Sequence, residues 1–302
     1  MPLHDSLHGR VTGEHDRIEH VHAHWATYPA LAALVVKQLT GVPFSVTVHA
    51  HDLYVAHPLL AERLDEAATI VTVSDYNRDQ LRRLLPAEAA ARVRVVRCGI
   101  DTSVFASPAR TVTPALDLVC VGAFEDYKGH HVLVDACRRL VDAGLDVRCT
   151  FVGDGPRRRV VERMVDRAGL GAVISFAGAV DEAGVVAALT SADIAVQPSL
   201  VTRSGKTEGI PNALMEAMAM ELPVVGSDVT GMRELVVDGV TGRVVPPGDP
   251  DALSRLWRQL ANERGRLSVG SAGRRWVEDN ARDDVLAERY LTVLGSVVGR
   301  RA

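Results

Sequence analysis

Four cysteines in 302 residues, Cys98, Cys120, Cys137 and Cys149, form no C-x-x-C pair and have no histidine-rich neighbourhood. A zinc site is therefore not expected. Cys120 and Cys149 fall inside apolar runs, where a free thiol acts as a small hydrophobe, as suits a reducing compartment. No run of eighteen apolar residues occurs, and Met1–Glu19 is polar and rich in histidine, unlike a signal peptide. A cytoplasmic protein is expected, with peripheral contact at the inner face of a membrane still open to it. Charge of one sign is also lacking. The net charge is −4 and the pI about 6.3, which gives no field for nucleic acid. Arg157–Arg159 reads as a solvated helix face.

What is present is enough apolar side chain for two cores: 47% of residues are hydrophobic, and single cores stop growing at roughly 250–300 residues. In the second half, strand-like runs at Leu116–Val121, Val147–Val152, Val173–Phe176, Ile194–Gln197, Pro223–Gly226 and Gly242–Val245 alternate with helical patterns. The first helix carries Val132, Leu133, Ala136, Leu140 and Val141 on one face and closes at Gly144; another helix runs from Pro211 to Met220. Such alternation predicts an α/β fold with parallel sheets and right-handed crossovers, its strands buried on both faces. The first half repeats the style with strands His20–His24, Phe44–His49, Thr69–Ser74 and Val93–Arg97. Thr102–Pro114 reads as a linker, and Asp249–Ala302 as helical. The expected domains are 1–108, a partial N-terminal Rossmann-like unit, 109–280, a second unit with complete alternation, and 281–302, a helix returning toward the first. Four strands are few for a doubly wound domain, so either this sheet is small or the chain begins partway into a larger domain.

The segment Glu208-Gly-Ile-Pro-Asn-Ala-Leu-Met-Glu216 carries the strongest chemical signal. Pro211 suits a first helical position, and a helix start there would offer free amides to phosphate. Glu208 precedes that helix and Glu216 lies within it, so one carboxylate can reach a sugar and the other a ribose. The plain alternative is a capped amphipathic helix. Lys128 ends a glycine-bounded loop, Gly122–Gly129, after a strand, where it can neutralise a departing diphosphate. Gly153-Asp-Gly-Pro156 lacks the third glycine of a dinucleotide fingerprint and is weak by itself. His49, His51 and Asp52 cluster at the end of a strand, where ligands of parallel sheets bind.

These segments, with Leu222-Pro-Val-Val-Gly-Ser and Gly231–Asp249, resemble the retaining GT-B glycosyltransferases of family 4, especially bacterial enzymes of exopolysaccharide and colanic-acid-type assembly. The resemblance runs from about Val21 to about Val245. It implies two Rossmann-like domains facing a cleft, the N-terminal one incomplete. It also implies roles. Glu208 would contact the transferred hexose, Glu216 the ribose, Lys128 the phosphates and His49 the donor sugar. Gly122, Gly153, Val180, Gly209, Ile210, Pro211 and Asn212 would line the nucleotide site. His51, Ser74, Asp101 and Arg203 are further cleft candidates; His22 and His24 resemble a His-x-His-aromatic signature that shapes the cleft.

The resemblance implies a nucleotide-diphosphate sugar, UDP- or GDP-linked, as substrate, a glycan, lipid-linked or small-molecule acceptor, and no cofactor or metal; no Asp-x-Asp metal motif stands out. Two departures are visible: Ala123 stands where the family usually has arginine, and Cys98 where it has asparagine. They leave open a nucleotide-sugar-binding protein with little turnover. An NAD-type oxidoreductase is disfavoured by the broken glycine fingerprint.

Overall fold

The computed structural model describes residues 18–54, 57–108, 115–262 and 266–298. Most of the polar N-terminal stretch and the second half of the linker lie outside the described residues. Among these residues the chain forms two all-parallel sheets.

The first unit runs β1 (Val21–His24), α1 (Tyr28–Thr40), β2 (Phe44–Val48), α2 (Ala50–Tyr54), α3 (Leu60–Asp65), β3 (Thr69–Thr72), α4 (Asp75–Leu84), α5 (Ala87–Ala90) and β4 (Val93–Val95). Its strands lie side by side in chain order. The second unit runs β5 (Leu116–Val121), α6 (His130–Asp142), β6 (Val147–Val152), α7 (Arg158–Arg167), β7 (Ile174–Gly178), α8 (Glu182–Thr190), β8 (Ile194–Gln197), α9 (Asn212–Ala219), β9 (Val224–Ser227), α10 (Met232–Leu235) and β10 (Arg243–Val245). After these come α11 (Pro250–Asn262), α12 (Arg266–Asn280) and α13 (Asp283–Val298).

The expected strand–helix alternation is present in both halves. Strands β2, β3, β8 and β9 are buried at every position, as strands covered on both faces require, and they carry polar residues such as Ser45, Thr47 and Gln197 into that cover. Edge strand β7 instead alternates buried and more open positions. The sequence reading gave no helix at α2, which begins directly after the strand expected at Phe44–His49. Chain direction changes there because the Asp52 carboxylate accepts the His49 N–H at 2.9 Å and caps the new turn. Pro211 is also corrected: it occupies the N-cap with extended backbone, and α9 begins at Asn212.

Sheet order in the second unit is β10-β9-β8-β5-β6-β7. The chain winds outward from β5 in one direction and from β8 in the other, so a crevice opens between their carboxyl ends. Helix α12 packs on α9, after which the chain crosses back. Ile100 N–H donates to Ala281 O at 2.8 Å and Asp283 N–H to Ile100 O at 3.3 Å. Beyond that crossing, α13 lies on β3, with Leu286 buried against Val71 and Val96. No helix among the described residues is long and apolar enough to cross a membrane.

Candidate active site

Two loops leave the switch point: 122–129 after β5 and 198–211 after β8. They pack directly on one another. Leu200 N–H donates to Tyr127 O at 2.7 Å. Gly129, at φ +70°, lies so close to the other loop that a Cβ would stand 1.9 Å from Pro198 O, which requires glycine. This contact brings the expected cation to the expected carboxylate. Lys128 Nζ donates to Glu208 Oε2, and the two side chains are only 12% and 11% exposed. Burial works to lower the Lys128 pKa, but the charge and hydrogen bond of Glu208 outweigh it and hold the ammonium above its ordinary value. Ser199 Oγ adds a long contact to the same Glu208 oxygen at 3.5 Å.

The glycine turns form a ledge beside this pair. Gly122 N–H donates to Val152 O at 2.9 Å, and Gly153 N–H to Gly178 O at 2.7 Å. A Cβ on Gly153 would meet Gly122 O at 2.2 Å, so this turn is needed for close backbone approach. Val180 follows the ledge and is 40% exposed. On the other side, α9 starts just past Glu208-Gly209-Ile210-Pro211. Its first amides, at Asn212 and Ala213, have no acceptor one turn earlier within the helix. Glu216 is half-buried in the second turn; burial, and then the charge of Glu182, push its carboxyl pKa up.

The first unit meets the motif end-on. A Cβ on Gly209 would lie 3.1 Å from Ala50 Cβ, and one on Gly205 2.8 Å from Tyr54 O. His49, adjacent to Ala50, has its Nε2 2.8 Å from His24 Nε2 and its ring 4.5 Å from the Trp25 ring. Burial, then His24, lower the His49 pKa. His22 is pushed down to about 4 by burial and its histidine neighbours; its ring is held by Ser45, Thr47 and Tyr290, the last from α13.

Four further candidates stand differently. Ser74 is fully buried and caps α4, accepting Asn77 N–H at 3.1 Å. Asp101 accepts from Ser103 N–H, Ser103 Oγ and Val104 N–H within its own turn. His51 is exposed beside the His57 ring, and Arg203 is exposed in the second loop.

Three residues escaped the sequence reading. Lys206 Nζ lies 3.2 Å from Glu125 Oε2 and 5.0 Å from the Tyr127 ring centroid. Glu234 of α10 accepts the N–H groups of Asp75 and Tyr76 at 2.9 and 2.6 Å, capping α4 across the two units, and pairs with Arg97. Tyr290 OH reaches Thr47 Oγ1 at 2.8 Å. Only the two-residue interval between Lys206 and Glu208 could have signalled the first of these. Asp249-Pro250-Asp251 is an Asp-x-Asp that the sequence reading passed over. It serves the start of α11: Asp249 accepts Ala252 N–H at 2.8 Å and Asp251 pairs with Arg139. Among the described residues no group of three or more ligating side chains converges on a point.

Comparison with known proteins agrees with this architecture. Residues 6–104 match the model of Glycosyltransferase Family 4 and residues 115–263 that of Glycosyl transferases group 1, so the two stretches take in most of the chain. The putative colanic acid biosynthesis glycosyltransferase WcaL of Escherichia coli K12 is 34% identical over 189 residues, covering 62% of this chain and 46% of its own. This chain thus spans about half the length of that relative. Among solved structures, a glycosyltransferase from Rickettsia africae superposes with a TM-score of 0.79 at 18% identity, covering 94% of this chain and 78% of that one. Anabaena HepE, solved with UDP and glucose, superposes at 0.76 and 16% identity, covering 89% and 75%. With both family models matched in order along two parallel-sheet units that face each other in the GT-B manner, the chain belongs to the group 1, family 4 glycosyltransferases.

Proposed function

We propose that the protein transfers a hexose, with retention, from a UDP- or GDP-linked sugar to a glycan, lipid-linked or small-molecule acceptor. The observation that carries this is the buried Lys128–Glu208 pair between the two loops of the switch point. A cation and a carboxylate kept out of water at that crevice suit a ligand that is anionic at one end and rich in hydroxyls at the other. In this reading Lys128 and the first amides of α9 take the diphosphate, Glu208 the hexose hydroxyls, Glu216 the ribose and His49 the far side of the sugar. Gly122, Gly153, Gly209 and Ile210 shape the walls.

In the transfer step the bond from the anomeric carbon to the phosphate oxygen breaks, and its electron pair leaves with the nucleoside diphosphate. The acceptor oxygen bonds to the same face of that carbon, and its proton passes to a phosphate oxygen. Lys128 stabilises the charge that develops on the leaving group; no metal or cofactor is assigned a part. The domain reading follows: 1–108 on the acceptor side, 109–280 for the nucleotide, and 281–302 returning to the first unit.

A cytoplasmic enzyme touching the membrane suits a lipid-linked acceptor, and α1 supports that contact. Its Tyr28, Leu31, Val35 and Leu39 are exposed at intervals that share one helix face. Ala123, exposed in the first loop, keeps a second reading in view: a nucleotide-sugar-binding protein with little turnover. Calorimetry with UDP, GDP and NAD tests the site, and NMR of donor-sugar turnover tests the chemistry. Binding of NAD in preference to either diphosphate would overturn the proposal. Diphosphate binding without transfer or hydrolysis would select the second reading, and an inverted anomeric product would remove retention.

A further inference from the structure

Two ammonium groups lie within reach of the Tyr127 ring. Lys128 Nζ stands 5.5 Å from its ring centroid and Lys206 Nζ 5.0 Å, so a second cation comes from the loop that carries Glu208. The two lysines are held by reciprocal pairs across the same loops. Lys128, of the first loop, bonds Glu208 of the second; Lys206, of the second, bonds Glu125 of the first. They differ in access. Lys128 is 12% exposed, whereas Lys206 and Glu125 are 31% and 32% exposed. A pair about one-third exposed gains little from its own attraction, so Lys206 can leave Glu125 at small cost.

A nucleoside diphosphate carries more than one negative charge, and Lys128 is already engaged by a carboxylate. From this geometry we infer that Lys206 is the second cation for the donor diphosphate, a further binding residue of the site. Arg203, the cation of this loop singled out by sequence, lies exposed three positions earlier, while Lys206 is the one stacked on Tyr127. Exchange of Glu125 for the diphosphate keeps both ammonium groups near the Tyr127 ring and engages both loops with the ligand. The inference rests on the function proposed above.

The test is calorimetry of UDP and GDP on the full chain and on Lys206→Ala, Lys206→Arg and Glu125→Gln, at two salt concentrations. Loss of a charge-assisted hydrogen bond weakens binding about ten- to a hundredfold, which is expected for Lys206→Ala together with a shallower salt dependence. Lys206→Arg should bind within a fewfold of wild type. Glu125→Gln should bind as tightly or more tightly, because it frees Lys206 from its resting partner. Lys206→Ala binding within twofold of wild type would overturn the assignment. Equal weakening by Glu125→Gln and Lys206→Ala would also overturn it, since that marks a clamp between loops instead of a ligand contact. Wild-type protein that binds neither diphosphate brings down the functional proposal itself, and this assignment with it.

Discussion

Breaking the Lys128–Glu208 pair from either side is expected to destabilise the unliganded protein far more than breaking it from both. Each side chain is about nine-tenths buried, so removing one partner leaves an uncompensated charge at the crevice. Such a loss costs about 3–5 kcal/mol, whereas replacing both partners by apolar groups of similar volume is often neutral. Lys128→Met and Glu208→Leu should each lower the melting temperature by roughly 10 °C, taking about 2–4 °C per kcal/mol for a unit of this size. The double variant should recover most of that loss. Urea and thermal unfolding of the four proteins, followed by circular dichroism without ligand, complete a double-mutant cycle. A coupling of about 2 kcal/mol or more is expected, because the residues touch. Additive losses, to within about 0.5 kcal/mol, would show that the pair is not formed in solution, and the site would have to be rebuilt around separate roles for the two residues.

Glu216→Ala should weaken nucleoside diphosphate binding about ten- to a hundredfold, while Glu208→Ala mainly slows transfer; equal loss of diphosphate affinity in calorimetry would refute the division of roles. Because burial raises the Glu216 pKa, its ionised form disfavours folding above the folded pKa. Glu216→Gln should therefore melt higher than wild type at neutral pH, and the gap should close as pH falls below the ordinary carboxylate value. His130, stacked on Phe124 with no hydrogen-bond partner for either ring nitrogen among the described residues, is pushed down to about 4 by burial and by Lys128. A depressed histidine gives stability that is whole above its unfolded pKa near 6.5 and is lost as pH falls toward 4, here about 2–4 kcal/mol. His130→Phe should abolish that part of the acid sensitivity, measured by unfolding at pH 7.5 and 4.5. Ala123→Arg should tighten diphosphate binding by adding a cation to the first loop; an unchanged Kd in a folded variant would place position 123 away from the phosphates.

Local pattern along the chain specifies the sheets and most of their helices. Short continuous apolar runs such as Leu118–Val121 and Ile194–Val196, alternating with helical patterns, fit covered parallel strands. It also placed Glu208, Glu216 and Lys128 at strand ends and a helix start, since those positions follow from local periodicity. What it could not give were pairings between loops far apart in the chain. Lys128 and Glu208 are 80 residues apart, and they meet because β5 and β8 become neighbours at the switch point. Lys206 over Tyr127, Glu234 capping α4 and Tyr290 on His22 have the same origin. A side chain's partner across a crossover depends on strand order, not on local pattern. Pro211 was read one residue too far along for a related reason: either position is compatible with proline's fixed φ, and the packing of α9 beneath the crevice chose the cap.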